Sequence, residues 1–389
     1  MRILRTLPTT RLLALVGAVV AALVAGAAIA LGAAGGGPTP PAKPLAQAVH
    51  DALAAPAPAG VTARIRFTNN LLPTGGALTG QVGSALITGA TGRLWATPDG
   101  RGRLELQSDA GDVQIVWSRT LAWAYDASSN TVYRIALPAP ASGGSSSAKT
   151  PPTVSQITGV LTQLSRYWAV GSATPTDVGG QPAYDVRVTP ATSAGLLGAL
   201  EVAWDATHGV PLKLSVYARG SSAPVLQLAV TSVSFGAVPS SDVDISPPAG
   251  AHVVDLPTPS GNGAQKPTAV TGLAAVQAAL PFQVTAPATL GGLSRSEVRL
   301  VGHGDTKGAL VVYGEGLGAV AVFEHAADAT AGSAGPMGAL PSVTIAGAAG
   351  HELSTPLGTA VTWQRGGVAY VLAGSVTAAV AEADAAALA

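Results

Sequence analysis

The 389-residue chain has no cysteine, which excludes disulfides, thiol catalysis and a lipid anchor built on cysteine. Charge is scarce as well: Asp, Glu, Lys and Arg make up 11% of the residues, against roughly 25% in average soluble proteins. Gly, Ala, Ser, Thr and Pro must therefore supply most of the surface. The 21 basic and 21 acidic residues cancel. Arg2, Arg5 and Arg11 precede the first carboxylate, Asp51, which leaves 18 basic against 21 acidic residues beyond residue 34. A nucleic-acid partner needs a basic face, so none is expected.

Catalytic signatures are missing too. His50, His208, His252, His303, His325 and His351 stand apart, with no HExxH and no paired ligand spacing. His303-Gly304-Asp305 reads as a hairpin turn, not a metal fragment. There is no GxSxG elbow and no GxxxxGK[ST] loop. Ser146 and Lys149 fit an SxxK spacing inside a Ser/Gly-rich loop, where a chance match is the simpler reading. Asp242 and Asp244 fit a solvated strand edge or turn. GEGLG at 314–318 lacks the strand-to-helix context of a nucleotide site and reads as a hairpin turn. No catalytic residue, metal or cofactor is expected.

What the chain does have begins at its N-terminus. Leu12 to Ala34 reads LLALVGAVVAALVAGAAIALGAA without a charge. A signal-peptide core takes about 7–15 apolar residues, and roughly 20 span a bilayer. The run is long enough to span, so an uncleaved anchor is expected. Its N-terminal arginines place that end in the cytoplasm and the body outside. Ala28-Ile29-Ala30 and Gly32-Ala33-Ala34 offer small-x-small cleavage sites, so secretion after signal cleavage is the alternative.

Residues 35–44, GGGPTPPAKP, form a Pro/Gly spacer. LAQAVHDALAA suggests a helix with Leu45, Val49 and Leu53 along one face. VTARIRFT then alternates, with Val61, Ala63, Ile65 and Phe67 opposite Thr62, Arg64, Arg66 and Thr68. GRLWATP, RLELQS, DVQIVWS, TLAWAYD and TVYRIALP continue as a meander of antiparallel strands. The low-complexity loop 138–153 precedes a second helix pattern, in which Val154, Ile157, Leu161, Leu164 and Trp168 recur. ALEVAWDATHGVPLKLSVYARG is a hairpin pattern turning at His208-Gly209. Residues 251–268 have the composition of a linker. Residues 269–389 suggest short strands with a helix at each end, a smaller α+β domain.

Trp95, Trp117, Trp123, Tyr125 and Trp204 fall in the strand-rich half of a chain that is only 4% aromatic. They suit a packed β core first, with the lining of a concave apolar cavity as the alternative.

Three stretches taken together decide between lineages. GRLWATPDGRGRLELQS, IVWSRTLAWAYDASSNTVYRIALP, and QPAYDVRVTP followed by EVAWDATHGVPLKLSVY resemble the LolA-like lipoprotein-carrier superfamily over residues 45–255. Arg119 or Thr120 stands where that family often carries Asp-Gly. The two-domain layout resembles its RseB-like variant, of actinobacterial type.

The resemblance implies an α+β architecture: a curved antiparallel β half-barrel with covering helices over residues 45–250, joined to a small α+β domain at 269–389. It also implies an extracytoplasmic, non-catalytic role in lipid or lipoprotein binding. The expected partner is a lipid or an acylated protein. The alternative is an RseB-like sensory regulator that binds an anti-sigma factor or other envelope membrane protein. The residues expected to line the cavity are Ile65, Phe67, Trp95, Ile115, Trp117, Trp123, Val186, Val202, Trp204, Leu214 and Val216.

Overall fold

The computed structural model describes residues 38–72, 89–109, 111–137, 151–256, 270–302, 307–327 and 340–389. The expected anchor at 1–34, the SxxK pair Ser146 and Lys149, and His303-Gly304-Asp305 lie outside these residues. No helix among the described residues is long and apolar enough to cross a membrane.

The chain enters through α1 (Leu45–Ala54) and then builds β1 (Val61–Asn69), β2 (Ala90–Ala96), β3 (Gly102–Ser108), β4 (Gly111–Trp117), β5 (Leu121–Asp126) and β6 (Thr131–Ala136). Helix α2 (Val154–Leu164) separates this meander from β7 (Trp168–Val170), β8 (Thr174–Val178), β9 (Gln181–Pro190), β10 (Leu197–Asp205), β11 (Pro211–Ala218) and β12 (Pro224–Phe235). A short helix, α3 (Ser240–Val243), leads to β13 (His252–Leu256). These strands form one 13-stranded sheet in the order β13-β6-β5-β4-β3-β2-β1-β12-β11-β10-β9-β7, with β8 also on β9. All neighbours are antiparallel except β13, which runs parallel to β6. The sheet therefore extends to Leu256, into the stretch that composition marks as linker.

Period-two patterning explains β1 directly. Val61, Ala63 and Ile65 are buried while Arg64 and Arg66 are exposed. Its two neighbours carry the pattern sideways: Ala63 faces Leu94 on β2 and Val233 on β12. A register shift after Arg64 admits a bulge on β12, the usual device for bending a sheet. The sheet curls into a half-barrel, and the β10–β11 turn folds back over its inner side. There Val210 packs among Val61, Ala63 and Ile65, and the His208 ring lies 4.1 Å from that of Phe235. Asp205 Oδ1 accepts the backbone N–H groups of Thr207 and His208, which shapes the turn. Gly209 sits at φ +66°, and a Cβ there would lie 2.3 Å from the Ala52 carbonyl oxygen. Only glycine lets this turn press against the end of α1.

The second sheet has eight strands. They are β14 (Thr289–Leu290), β15 (Leu293–Val301), β16 (Gly308–Tyr313), β17 (Val320–Ala326), β18 (Ser342–Ile345), β19 (Ala348–Thr355), β20 (Gly358–Arg365) and β21 (Val368–Gly374). Helices α4 (Leu273–Ala278) and α5 (Ala378–Ala387) pack on it. GEGLG closes the β16–β17 hairpin, with a 3-10 turn at Gly316–Gly318. That turn meets the half-barrel, because a Cβ on Gly195 would sit 2.5 Å from the Leu317 carbonyl. Beside it the Leu196 N–H donates to Ser375 Oγ at 2.8 Å.

Candidate functional site: the inner face of the half-barrel

Cross-strand register decides which residues share the concave face, since directly opposed residues of an antiparallel pair point the same way. Starting from Ile65 and Phe67, the ladder runs through Leu94 to Leu104 and Ile115, and through Gly102 to Trp117. In the other direction it runs from Phe67 to Leu228 and Leu214, then to Val202 and Val186. Val216, opposite Leu226, and Trp204, opposite Tyr184, complete the face. Of the residues expected to line a cavity, Ile65, Phe67, Ile115, Trp117, Val186, Val202, Trp204, Leu214 and Val216 are therefore placed together.

Trp95 and Trp123 are not. Trp95 stands opposite Arg103, whose guanidinium lies 5.1 Å from the indole centroid. Trp123 stands opposite Val116, and these two with Val132 form a small core on the convex side, closed by Ile245 and Ala251. The reason is the segment after β12. It crosses the outside of β2 and β3, where Arg101 reaches Asp244 and Arg103 reaches the Asp242 carbonyl, before β13 joins β6. Asp244 is thus an ion-pair partner at an exposed turn.

The concave face is unevenly covered. Helix α1 lies on its β9–β10 end, where Ala48 packs with Tyr184, Val186 and Trp204, and Leu45, Val49 and Ala52 flank them. Leu53, expected on that same stripe, is instead exposed, because Ala48 and Ala52 carry the contact. The Tyr184 hydroxyl donates to the Pro41 carbonyl at 2.7 Å and ties the end of the spacer to the same place. In the middle of the sheet, on β1 and β2, Val61, Ala63 and Ile65 are closed over by Val210, and Phe67, Leu94, Leu104 and Ile115 pack against them.

Between these two patches, on β11 and β12, the face is less covered among the described residues. Leu214 and Val216 are half-buried and Leu228 is 41% exposed, while Trp117 on β4, on the far side of the β1–β2 patch, is half-buried. The Trp117 indole lies over Gly102, where a Cβ would come within 2.1 Å of the ring. A cleft of about 560 Å³ opens at the Phe67 end, with Arg66, Thr68, Gln107 and Asp109 at its rim.

Leu94, Leu104, Leu226 and Leu228 belong to this face and were not among the expected lining residues. RLELQS and VLQLAV alternate clearly, so that pattern is the signal that identifies them once a neighbouring strand fixes the register.

The convex side of β9–β11 is polar. Lys213 Nζ lies 2.5 Å from both Asp185 and Glu201. Burial works against the Lys213 ammonium, but its hydrogen bonds to the two carboxylates outweigh that and raise its pKa above the usual lysine value. Burial pushes the Asp185 carboxyl up. Arg187 pairs with Glu201 and lies over the Tyr217 ring. This is a structural ion cluster. Among the described residues no group of His, Asp and Glu is arranged to hold a metal.

The chain forms a curled antiparallel half-barrel with helices on its apolar face and a second small domain, the architecture that its resemblance to LolA-like and RseB-like proteins implies. No family profile and no curated protein sequence matches the chain. Among solved structures it is similar to the MucA/MucB complex of Pseudomonas aeruginosa, with a TM-score of 0.42 and 16% identity over 88% of this chain and 94% of that one. It is also similar to a conserved, uncharacterized protein of Thermus thermophilus, at TM-score 0.31 and 12% identity over 55% and 97%. A domain from Vibrio parahaemolyticus, provisionally described as an outer membrane lipoprotein-sorting protein domain, matches at TM-score 0.19 and 12% identity over 48% and 89%. At scores this low none of them assigns a ligand or partner to this chain.

Proposed function

We propose that the chain is a non-catalytic binding protein of the cell envelope, anchored by residues 12–34 with its body outside the cytoplasm. The half-barrel receives an apolar chain, from a lipid or the acyl group of a modified protein, on its inner face. One observation supports this reading above others: the incompletely covered strip of Leu214, Val216 and Leu228 on β11 and β12 lies between two well-packed patches of the inner face. Each methylene moved from water onto such a surface gains roughly 0.8 kcal/mol, so ten buried carbons outweigh a substantial association cost. Organic extraction of detergent-free protein followed by mass spectrometry tests it. A stoichiometric long-chain lipid is expected, and protein that never carries one under any growth condition would refute the reading.

The second reading is a sensory regulator that binds an envelope membrane protein. The observation that favours it is the contact of the second domain with loop 191–196 of the half-barrel through Leu317 and Ser375, a junction a regulator would need to pass occupancy from one domain to the other. Cross-linking in native membranes separates the two readings, because the regulator requires a stoichiometric protein partner.

A further inference from the structure

Helix α2 leaves one edge without a partner. Ile157 is buried, while Val160, Leu164 and Tyr167 follow at intervals of four and three and are 64%, 37% and 73% exposed. Such spacing puts them on one side of the helix and its C-terminal turn. Three hydroxyls along the helix and its end are satisfied within it. Thr158 and Thr162 donate to the carbonyls of Val154 and Thr158, and Ser165 donates to that of Thr162.

The charged residues nearest this edge in the sequence are basic. No acid occurs between Asp126 and Asp177, a stretch that contains Arg134, Lys149 and Arg166. Arg134 is taken up by Asp255, whereas Arg166 is exposed beside Leu164 and Tyr167 with no ion-pair partner among the described residues. Valine and leucine flanked by tyrosine and arginine are the composition of a membrane interface, where the aliphatic groups enter the acyl boundary and the cation meets phosphate.

The path of the chain brings a membrane within reach. Pro41 is fastened to Tyr184, and seven residues back along the sequence the uncharged run ends at Ala34. At about 3.3–3.6 Å per residue, that link spans at most about 25 Å. Helix α1, which starts four residues after Pro41, is joined to the entry of α2 by His50 Nδ1 and the Pro152 carbonyl, 2.8 Å apart.

We infer that the Val160–Leu164–Arg166–Tyr167 edge docks on the anionic lipid surface beside the anchor. This rests on the anchoring proposed above. It turns the helices at the β9–β10 end of the half-barrel toward the bilayer.

Because the chain has no cysteine, single labels test this cleanly. Bimane is attached to Val160→Cys, Leu164→Cys, Val380→Cys and Ala34→Cys in the full chain, reconstituted in phosphatidylcholine vesicles with and without phosphatidylglycerol. Val380 is an exposed apolar residue on α5 and serves as the control. Quenching by doxyl-labelled lipid is expected at 160 and 164, at least about twofold above that at 380, and weaker without phosphatidylglycerol. Quenching at 34 but not at 160 or 164 would overturn the docking and leave the anchor standing. No quenching at 34 would overturn both. Labels at 160 and 164 shielded from an aqueous quencher, yet untouched by doxyl lipid, would report a protein partner and overturn the docking.

Discussion

The two sheets are built from similar period-two strands but finish their apolar faces differently. In the second domain α4, the segment 279–288 and α5 cover the sheet. Val311, Tyr313, Val322, Val361 and Leu372 are fully buried beneath them. In the half-barrel one ten-residue helix covers the β9–β10 end, a turn covers β1 and β2 in the middle, and the strip between them keeps Leu228 exposed. A closed face converts its apolar area into stability. An open face keeps some of that area available for something that is not part of the chain.

Truncations should separate closed from open regions, with the largest effects at the closed sites. Trp204 is 7% exposed under α1, so Trp204→Ala should cost about 3–5 kcal/mol. Leu372→Ala in the second domain should cost about 2–5 kcal/mol. Leu214→Ala and Leu228→Ala, on the open strip, should cost clearly less in denaturant unfolding yet weaken lipid binding. Equal stability losses at Trp204 and Leu228 would erase the distinction.

The next effect concerns the seam between turn and helix. Gly209→Ala forces a methyl at positive φ against the Ala52 carbonyl, at a cost of about 1–3 kcal/mol. Hydrogen exchange should quicken across α1 and leave the second domain unchanged.

The closed domain carries its own cost in Glu324. This side chain is fully buried on the covered face. One carboxyl oxygen accepts the Thr285 N–H at 2.8 Å, and the other has no partner. Burial pushes its pKa up to about 7. The folded state therefore holds a proton that the unfolded chain releases near its ordinary value of 4.5. The stabilisation is complete below that value and disappears as pH rises to about 7. Glu324→Gln should remove this part of the pH dependence and leave the variant about 1–3 kcal/mol more stable than the parent at pH 8. A slope unchanged between pH 5 and 7 would show that Glu324 is not its source.

The smallest effect belongs to the convex face. Removing the Trp95 indole, which lies against Arg103 on the side away from the groove, should leave lipid binding intact. Lost binding in Trp95→Ala would mean that the face assignment is wrong.

Alternation in VTARIRFT was enough to place Val61, Ala63 and Ile65 inside, and the helix patterns at 45 and 154 are real helices. Which aromatic faces the groove was not legible. In GRLWATP, Leu94 and Trp95 are adjacent, and either fits the inner face until the pairing of Ala63 with Leu94 decides. Trp123 was misplaced because a second core on the outside depends on Ile245 and Ala251, more than 100 residues away. Helix α1 presented Ala48 and Ala52 instead of Leu53 for a related reason: the close approach of Gly209 favours small side chains there. Trp168 follows the helical spacing of α2 but belongs to β7, because the helix ends at Leu164.

The central claim is that the strip around Leu228 holds an acyl chain. The most direct test is fluorescence titration of residues 38–389, free of the apolar run, with fatty acyl probes of eight and sixteen carbons. The account requires the longer probe to bind more tightly, since eight extra methylenes are worth up to about 6 kcal/mol when all are buried. It also requires Leu228→Trp to abolish that binding without lowering the unfolding midpoint. Equal affinity for both probes, or undiminished binding in Leu228→Trp, would contradict it.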